Sequence, residues 1–299
     1  MNSIIEFMDR LESFYYEWGR DPTFVQQPEK LIFTSNGLKG DWRVMPCVID
    51  RFDGSLIKVV KVIGTNEEQH TIKDKICVGR ALMIDELDNH VKASFDVCSL
   101  SSFRTAAISA LAYKHTTAQN DDRITIIGAG RIGFYLAVIL KTWLGTQHLV
   151  FHDKNISRAE ALARRFEAKS SSLNSALNNC DAIFLCTDSK LPLLNHENSG
   201  HASFISSVGA DADNLSELES SLLQNRTLVS ESRQNIKHGD MARWYKSGLL
   251  SLSKIVELPQ LLTGNYKSEA PYLFISTGIA VQDALACDFI YNVSLNNNR

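Results

Sequence analysis

Three glycines, Gly128, Gly130 and Gly133, stand in the run GAGRIG, directly after the apolar stretch Arg123 to Ile127 and directly before an apolar helical run. In that setting the first glycine permits a tight strand-to-helix turn, the second lets a pyrophosphate approach the backbone, and the third lets helix and strand pack closely. The helix N-terminus adds N–H groups and a partial positive charge that suit phosphates. Twenty residues beyond Gly133, Asp153 ends the stretch LVFHD. A carboxylate there accepts the hydroxyls of an adenosine ribose and repels a 2′-phosphate, so the expected cofactor is NAD rather than NADP. Lys154 and Arg158 are the neighbouring cations that work against this preference.

Other charged residues sit in apolar surroundings. In LIKVVKVIG a strand period of two places Leu56, Lys58, Val60 and Val62 on one face and Ile57, Val59, Lys61 and Ile63 on the other, so one lysine points inward if either face is core. Arg104 lies one turn before Ile108 on a small-residue helix, where it makes a structural ion pair or grips a ligand. Asp283, in GIAVQDALACDFIYN, has Ile279 four residues before it and Ala286 and Cys287 just after. A carboxylate in such a setting suits general acid or base work. His148 and His152 are four apart but on a strand, His196 and His201 lack supporting ligands, and no metal site is expected. No Tyr-x-x-x-Lys pair occurs, which argues against short-chain dehydrogenase chemistry.

These residues require elements to position them. An N-terminal amphipathic helix (Ile4, Ile5, Met8, Leu11, Phe14, Tyr15) precedes strand-like segments KLIFTS, WRVMPCVID, LIKVVKVIG and GRALMIDEL, separated by GLKGD, DGS and the polar TNEEQHTIKDK. A helix, SSFRTAAISALAYKH, with Ser101 or Ser102 as N-cap, then links to alternating strands and helices. The strands are RITIIG, LVFHD, AIFLCT, SFISSVGA and TLVS, and NLSELESSLLQ is among the expected helices. Such alternation means a parallel sheet covered on both faces. About 120 residues precede the glycine loop, and a last helix follows from Gly278. The expected fold is therefore α/β: a doubly wound Rossmann sheet, residues 116–269, inserted into an α+β substrate and dimerisation domain made of residues 1–115 and 270–299.

Composition excludes several functions. The 299 residues carry 31 Lys+Arg against 34 Asp+Glu, a net charge of −3 that does not fit a protein coating nucleic acid or anionic membranes. The longest apolar run, Phe134 to Leu140, is far short of the about 20 residues of a membrane span. Glu6, Asp9 and Glu12 occupy the place of a signal peptide's positive charge, and the six cysteines form no CxxC pair. A cytoplasmic protein with reduced thiols is expected.

The segments MPCVIDRFDGSLIKVVKVIGTN, SLSSFRTAAISALAYK, TIIGAGRIG, SVGAD and STGIAVQDALA, in this order, resemble the ornithine cyclodeaminase/mu-crystallin family over nearly the whole chain. The resemblance implies a homodimer with an inserted Rossmann domain. It implies hydride transfer between the α-carbon of a small amino acid or imine and a nicotinamide, as a cyclodeaminase or as an amino-acid dehydrogenase or imine reductase. By the same resemblance Lys58 matches the active-site lysine, Asp283 the catalytic aspartate and Arg104 the arginine that grips the substrate carboxylate. Met45 joins the substrate residues, and Lys30 stands where relatives carry a second arginine, keeping charge without the bidentate fork. Arg131, Ile132, Lys154, Thr187 and Val208 join the glycines and Asp153 around the cofactor. The wording KVIGTN, IIGAGRIG, LVFHD and ELPQLLTGN leans toward the siderophore-pathway branch that splits an N-substituted glutamate. The alternative is a crystallin-type protein that binds nucleotide or a small ligand without catalysis.

Overall fold

The computed structural model describes residues 2–35, 38–53, 55–65, 77–119, 121–178, 180–199 and 201–296. In chain order the elements are α1 (Asn2–Arg20), β1 (Val25–Gln26), β2 (Leu31–Ser35), β3 (Leu38–Phe52), β4 (Ser55–Thr65), β5 (Cys77–Ile84), β6 (Val91–Asp96) and α2 (Val97–Lys114). There follow β7 (Arg123–Ile127), α3 (Arg131–Trp143), β8 (His148–His152), α4 (Ile156–Arg165), β9 (Lys169–Ser170), α5 (Leu173–Leu177), β10 (Ala182–Leu185) and β11 (Phe204–Ser207). The last are β12 (Thr227–Ser230), α6 (Gly239–Lys246), β13 (Ile255–Glu257), α7 (Leu258–Leu262), β14 (Tyr272–Ile275) and α8 (Ala280–Asn296). Most of the polar stretch TNEEQHTIKDK, residues 66–75, lies outside the described residues.

The chain divides into two units, Met1–Arg20 with Thr105–Gly278, and Asp21–Arg104 with Ile279–Arg299. The first holds an eight-stranded parallel sheet in the order β13-β12-β14-β11-β10-β7-β8-β9. Its central strands β10, β11 and β14 are buried at every residue; β10 and β14 are apolar throughout, and β11 buries Ser206 and Ser207 at its end. From β7 the chain winds outward one way through β8 and β9, then returns to the other side with β10, so the topological switch point lies between β7 and β10.

The second unit is antiparallel, in the order β1-β3-β4-β5-β6, with β2 also pairing β3. On β4 the alternation resolves to one buried face, Ile57, Val59, Lys61 and Ile63. Helix α8 packs on β3, β4 and β5, and its residues Ala280 to Phe289 are all buried. A helix buried all round shows no amphipathic stripe.

Three expectations need correction. Helix α1 was expected in the domain of the chain ends, but it belongs with the parallel sheet. Its stripe of Phe7, Met8, Leu11, Phe14 and Tyr15 is buried, it packs on α7 and α3, and a Cβ on Gly19 would lie 2.2 Å from the Pro259 carbonyl oxygen. The unit boundaries accordingly fall at 20/21, 104/105 and 278/279, one of them inside α2. Secondly, α2 starts before Ser101, because Asp96 accepts the Cys98 N–H at 3.0 Å and opens the helix there. Thirdly, NLSELESSLLQ forms only a 3-10 turn at Ser220–Leu223. The N–H groups of Glu217 and Leu218 are drawn to Asp240 instead of to a helical turn, and that tertiary demand overrides local propensity. Strands β1, β6, β9, β13 and β14 are additions the sequence pattern did not mark.

Candidate active site

In the parallel-sheet unit, β7 ends in the glycine loop. Gly128 has φ +107°, a conformation that favours glycine, and a Cβ there would sit 2.4 Å from the Cys186 carbonyl oxygen. A Cβ on Gly133 would lie 2.1 Å from the Gly128 carbonyl oxygen, so helix and strand meet at backbone distance. Gly130 is different. It is exposed and its Cβ position has no atom within 4 Å, which leaves an open cradle beside the N-terminus of α3. Gly130 is the N-cap of α3 and no side chain caps it. An open cradle at an uncapped helix start fits a pyrophosphate, with Arg131 and Ile132 on the helix's first turn.

Asp153, just past β8, ties this loop down. Its Oδ2 accepts the Ala129 N–H at 2.8 Å and its Oδ1 the Asn155 N–H at 2.8 Å. Each carboxylate oxygen keeps further acceptor capacity for a ribose hydroxyl. Lys154 donates to Asp188 Oδ1 at 2.7 Å.

A buried carboxylate that the sequence did not single out shapes the opposite side. Glu217 Oε1 accepts the Thr187 N–H and hydroxyl, both at 2.8 Å, while Oε2 accepts from Ser207 Oγ at 2.6 Å and the Gly209 N–H at 2.9 Å. Burial pushes this carboxyl above its usual range, and the four bonds act in the opposite direction. Thr187 and the buried Val208 are thereby fixed at the ends of neighbouring strands β10 and β11.

The second unit gathers its charges around Asp283. Asp283 is wholly buried; its Oδ2 lies 2.6 Å from Lys61 Nζ and its Oδ1 accepts from Arg104 Nε at 3.2 Å. Arg104 also donates through Nη1 to Gln282 Oε1 at 2.8 Å, and Lys61 Nζ reaches Ser101 Oγ at 3.5 Å. Met45 is the register partner of Lys61 and is buried beside it. Two cations on a fully buried carboxylate is an arrangement in which each group makes the others' burial tolerable. Two thiols flank it. Burial, followed by the charge of Asp283, pushes both Cys47 and Cys287 up, so neither is a nucleophile.

The structure brings Arg104 and Asp283 together, and the lysine beside them is Lys61, not Lys58. Lys58 is on the opposite face of β4, where it donates to Asn89 Oδ1 at 2.7 Å and to the Glu86 carbonyl at 3.4 Å. Three residues along a strand reverse the face, and α8 covers the side that carries Lys61. Lys30 stands half-buried just before β2. Arg43, a buried cation on β3, drew no attention in the sequence. Among the described residues no group of His, Cys, Asp and Glu is arranged to hold a metal, and no helix is long and apolar enough to cross a membrane.

The sequence pattern of the ornithine cyclodeaminase/mu-crystallin family matches residues 1–298. The chain belongs to that family. Among relatives, a Δ1-pyrroline-2-carboxylate reductase of Bacillus cereus is 26% identical over 263 residues, covering 83% of this chain and 80% of the relative. The Thermococcus litoralis Δ1-pyrroline-2-carboxylate reductase, solved with NADH and L-proline, superposes with a TM-score of 0.87 at 20% identity, over 99% of this chain and 94% of that one. An archaeal alanine dehydrogenase dimer with bound NAD gives 0.86 at 19% identity, over 99% and 93%. These likenesses match the fold of a Rossmann-type parallel sheet joined to an antiparallel unit. The siderophore-pathway lean finds no counterpart in these family members.

Proposed function

We propose that this family member is an NAD-dependent oxidoreductase acting at the Cα–N bond of an amino acid or its imine, with a cyclic imine carboxylate of the Δ1-pyrroline-2-carboxylate type as the favoured substrate. The observation that carries the reading is the setting of Arg104. The guanidinium is buried and fixed from behind by Asp283 and Gln282, and among the described residues its Nη2 edge carries no bond. A pre-oriented guanidinium edge of this kind is suited to hold a substrate carboxylate in one orientation. Lys61, paired with Asp283, adds positive charge where a carboxylate and a C=N bond would be bound, and so polarises the imine. Asp283 is fully buried between these two cations, and the part we assign it is to position them, in place of the acid-base role the sequence suggests.

The open cradle at Gly130 and the ribose-facing carboxylate of Asp153 support a dinucleotide with a free 2′-hydroxyl, NADH in preference to NADPH. When bound, the nicotinamide accepts or supplies the hydride. Thr187 and Val208 are held by Glu217 and the strand ends and would flank it. A homodimer is supported by the exposed apolar strip Leu31, Ile32, Phe33 and Trp42 on β2 and β3, which suits contact with a second copy.

The test is NADH oxidation, followed by absorbance, with Δ1-pyrroline-2-carboxylate, its six-membered homologue, and pyruvate plus ammonia, beside the reverse reaction with NAD and amino acids. Turnover with at least one imine is expected. Tight NADH binding with no turnover of any of them would overturn the reading and favour a binding protein.

A further inference from the structure

Lys154 and Asp188 come after two strands that are not neighbours. Lys154 follows β8 and Asp188 follows β10, and β7 with its glycine loop runs between them in the sheet. Their ion pair, 2.7 Å from Nζ to Oδ1, therefore crosses the end of β7 on the carboxyl-terminal side of the sheet. Open α/β sheets bind their ligands on that side, at the switch point, which here is between β7 and β10. Both side chains are mostly exposed, so the pair is a reversible clasp at the surface. The hydrogen bond from Lys154 holds the Asp188 carboxyl below its usual range, with Arg158 adding to the same effect.

The clasp decides which charge meets the adenosine ribose. Lys154 is the residue next to Asp153, and a 2′-phosphate bound beside Asp153 would call on just such an ammonium. While Asp188 holds it, the rim presents the negative Asp153 and a neutralised pair. We propose that Asp188 is a specificity-determining residue, which keeps Lys154 from a 2′-phosphate and so maintains selection for the unphosphorylated dinucleotide. This rests on the NAD reading above and adds a residue to it.

The experiment measures equilibrium dissociation constants for NADH and NADPH by fluorescence titration of the whole protein, without substrate. The proteins are the unmodified chain, Asp188→Asn, and the double variant Asp188→Asn/Lys154→Ala. Release of an exposed pair is worth a few-fold, so Asp188→Asn should tighten NADPH about three- to fivefold while NADH moves less than about twofold. The double variant should lose that gain. Unchanged NADPH affinity in Asp188→Asn would overturn the proposal. So would a gain that survives in the double variant, since the cation responsible would then be another one. Failure of the unmodified protein to bind NADH would overturn the dinucleotide reading itself, and a flat NADH titration distinguishes that outcome from the others.

Discussion

Asp283→Asn keeps the side chain's shape and removes the charge shared by two buried cations. If Asp283 positions rather than transfers protons, its loss acts through Arg104 and Lys61. The bond from Arg104 Nε, at 3.2 Å, and the Lys61 contact, at 2.6 Å, are both charge-assisted and shielded from water. A hydrogen bond to a charged group contributes about 1.5–3 kcal/mol, so losing the grip on Arg104 alone should lower kcat/KM by about 10- to 150-fold. Most of the loss should appear as a raised KM, because the substrate carboxylate meets a guanidinium that is no longer oriented. Steady-state kinetics across pH on Asp283→Asn, Lys61→Met and the double variant test this. The two substitutions should couple by about 1.5 kcal/mol or more. A fall in kcat with an unchanged KM at every pH, or strictly additive effects, would refute the positioning argument and return Asp283 to acid-base work.

Three further outcomes follow from geometry already described. Gly130→Ala should leave thermal stability nearly unchanged, since its Cβ meets nothing within 4 Å, yet weaken NADH about tenfold or more by filling the cradle; titration and a melting curve together check this. Lys58→Ala, which removes exposed bonds to Asn89 and Glu86, should leave kcat/KM within about twofold, in contrast to Lys61→Met in the same assay. Glu12 takes a bond from Lys114 and pairs with His115 at the end of α2, and the His115 hydrogen bond lowers its pKa. A lowered carboxylate contributes stability above its unfolded value and loses it on acidification. The melting temperature of Glu12→Gln should therefore fall below that of the unmodified protein near neutral pH, and the difference should close as pH drops below about 4.5.

The glycine loop was legible because its conformational demands act on composition directly: a φ of +107° at Gly128 and a 2.1 Å approach at Gly133 select glycine whatever surrounds them. Five of the parallel strands, β7, β8, β10, β11 and β12, were legible as short apolar stretches alternating with helices, whereas β9, β13 and β14 were not marked. The choice between Lys58 and Lys61 was not. A period of two says that one lysine faces inward, but the inward side is set by α8, which lies more than two hundred residues along the chain. Glu217 was hidden in the same way. Its worth lies in four donors from Thr187, Ser207 and Gly209, and in sequence it is one acid in SELES. The helix expected there fails for the reason that makes the residue important, since its backbone is needed elsewhere.

The antiparallel unit is assembled from the two sides of the Rossmann insertion, and this has a consequence for synthesis. Arg104 and Asp283 are 179 residues apart. At about 5–20 residues per second, the ribosome takes roughly 10 to 35 seconds to travel that distance, time enough for the intervening parallel sheet to begin folding. Throughout the interval Lys61 and Arg104 exist without the carboxylate that balances them, and the face of Ile57, Val59 and Ile63 has no α8 to cover it. The nascent chain thus displays an apolar surface with a cation at its centre until its last helix emerges. A slow stretch of translation between Arg104 and Asp283 would lengthen exposure of that surface to chaperones and proteases, and would lower the yield of folded protein without altering any residue.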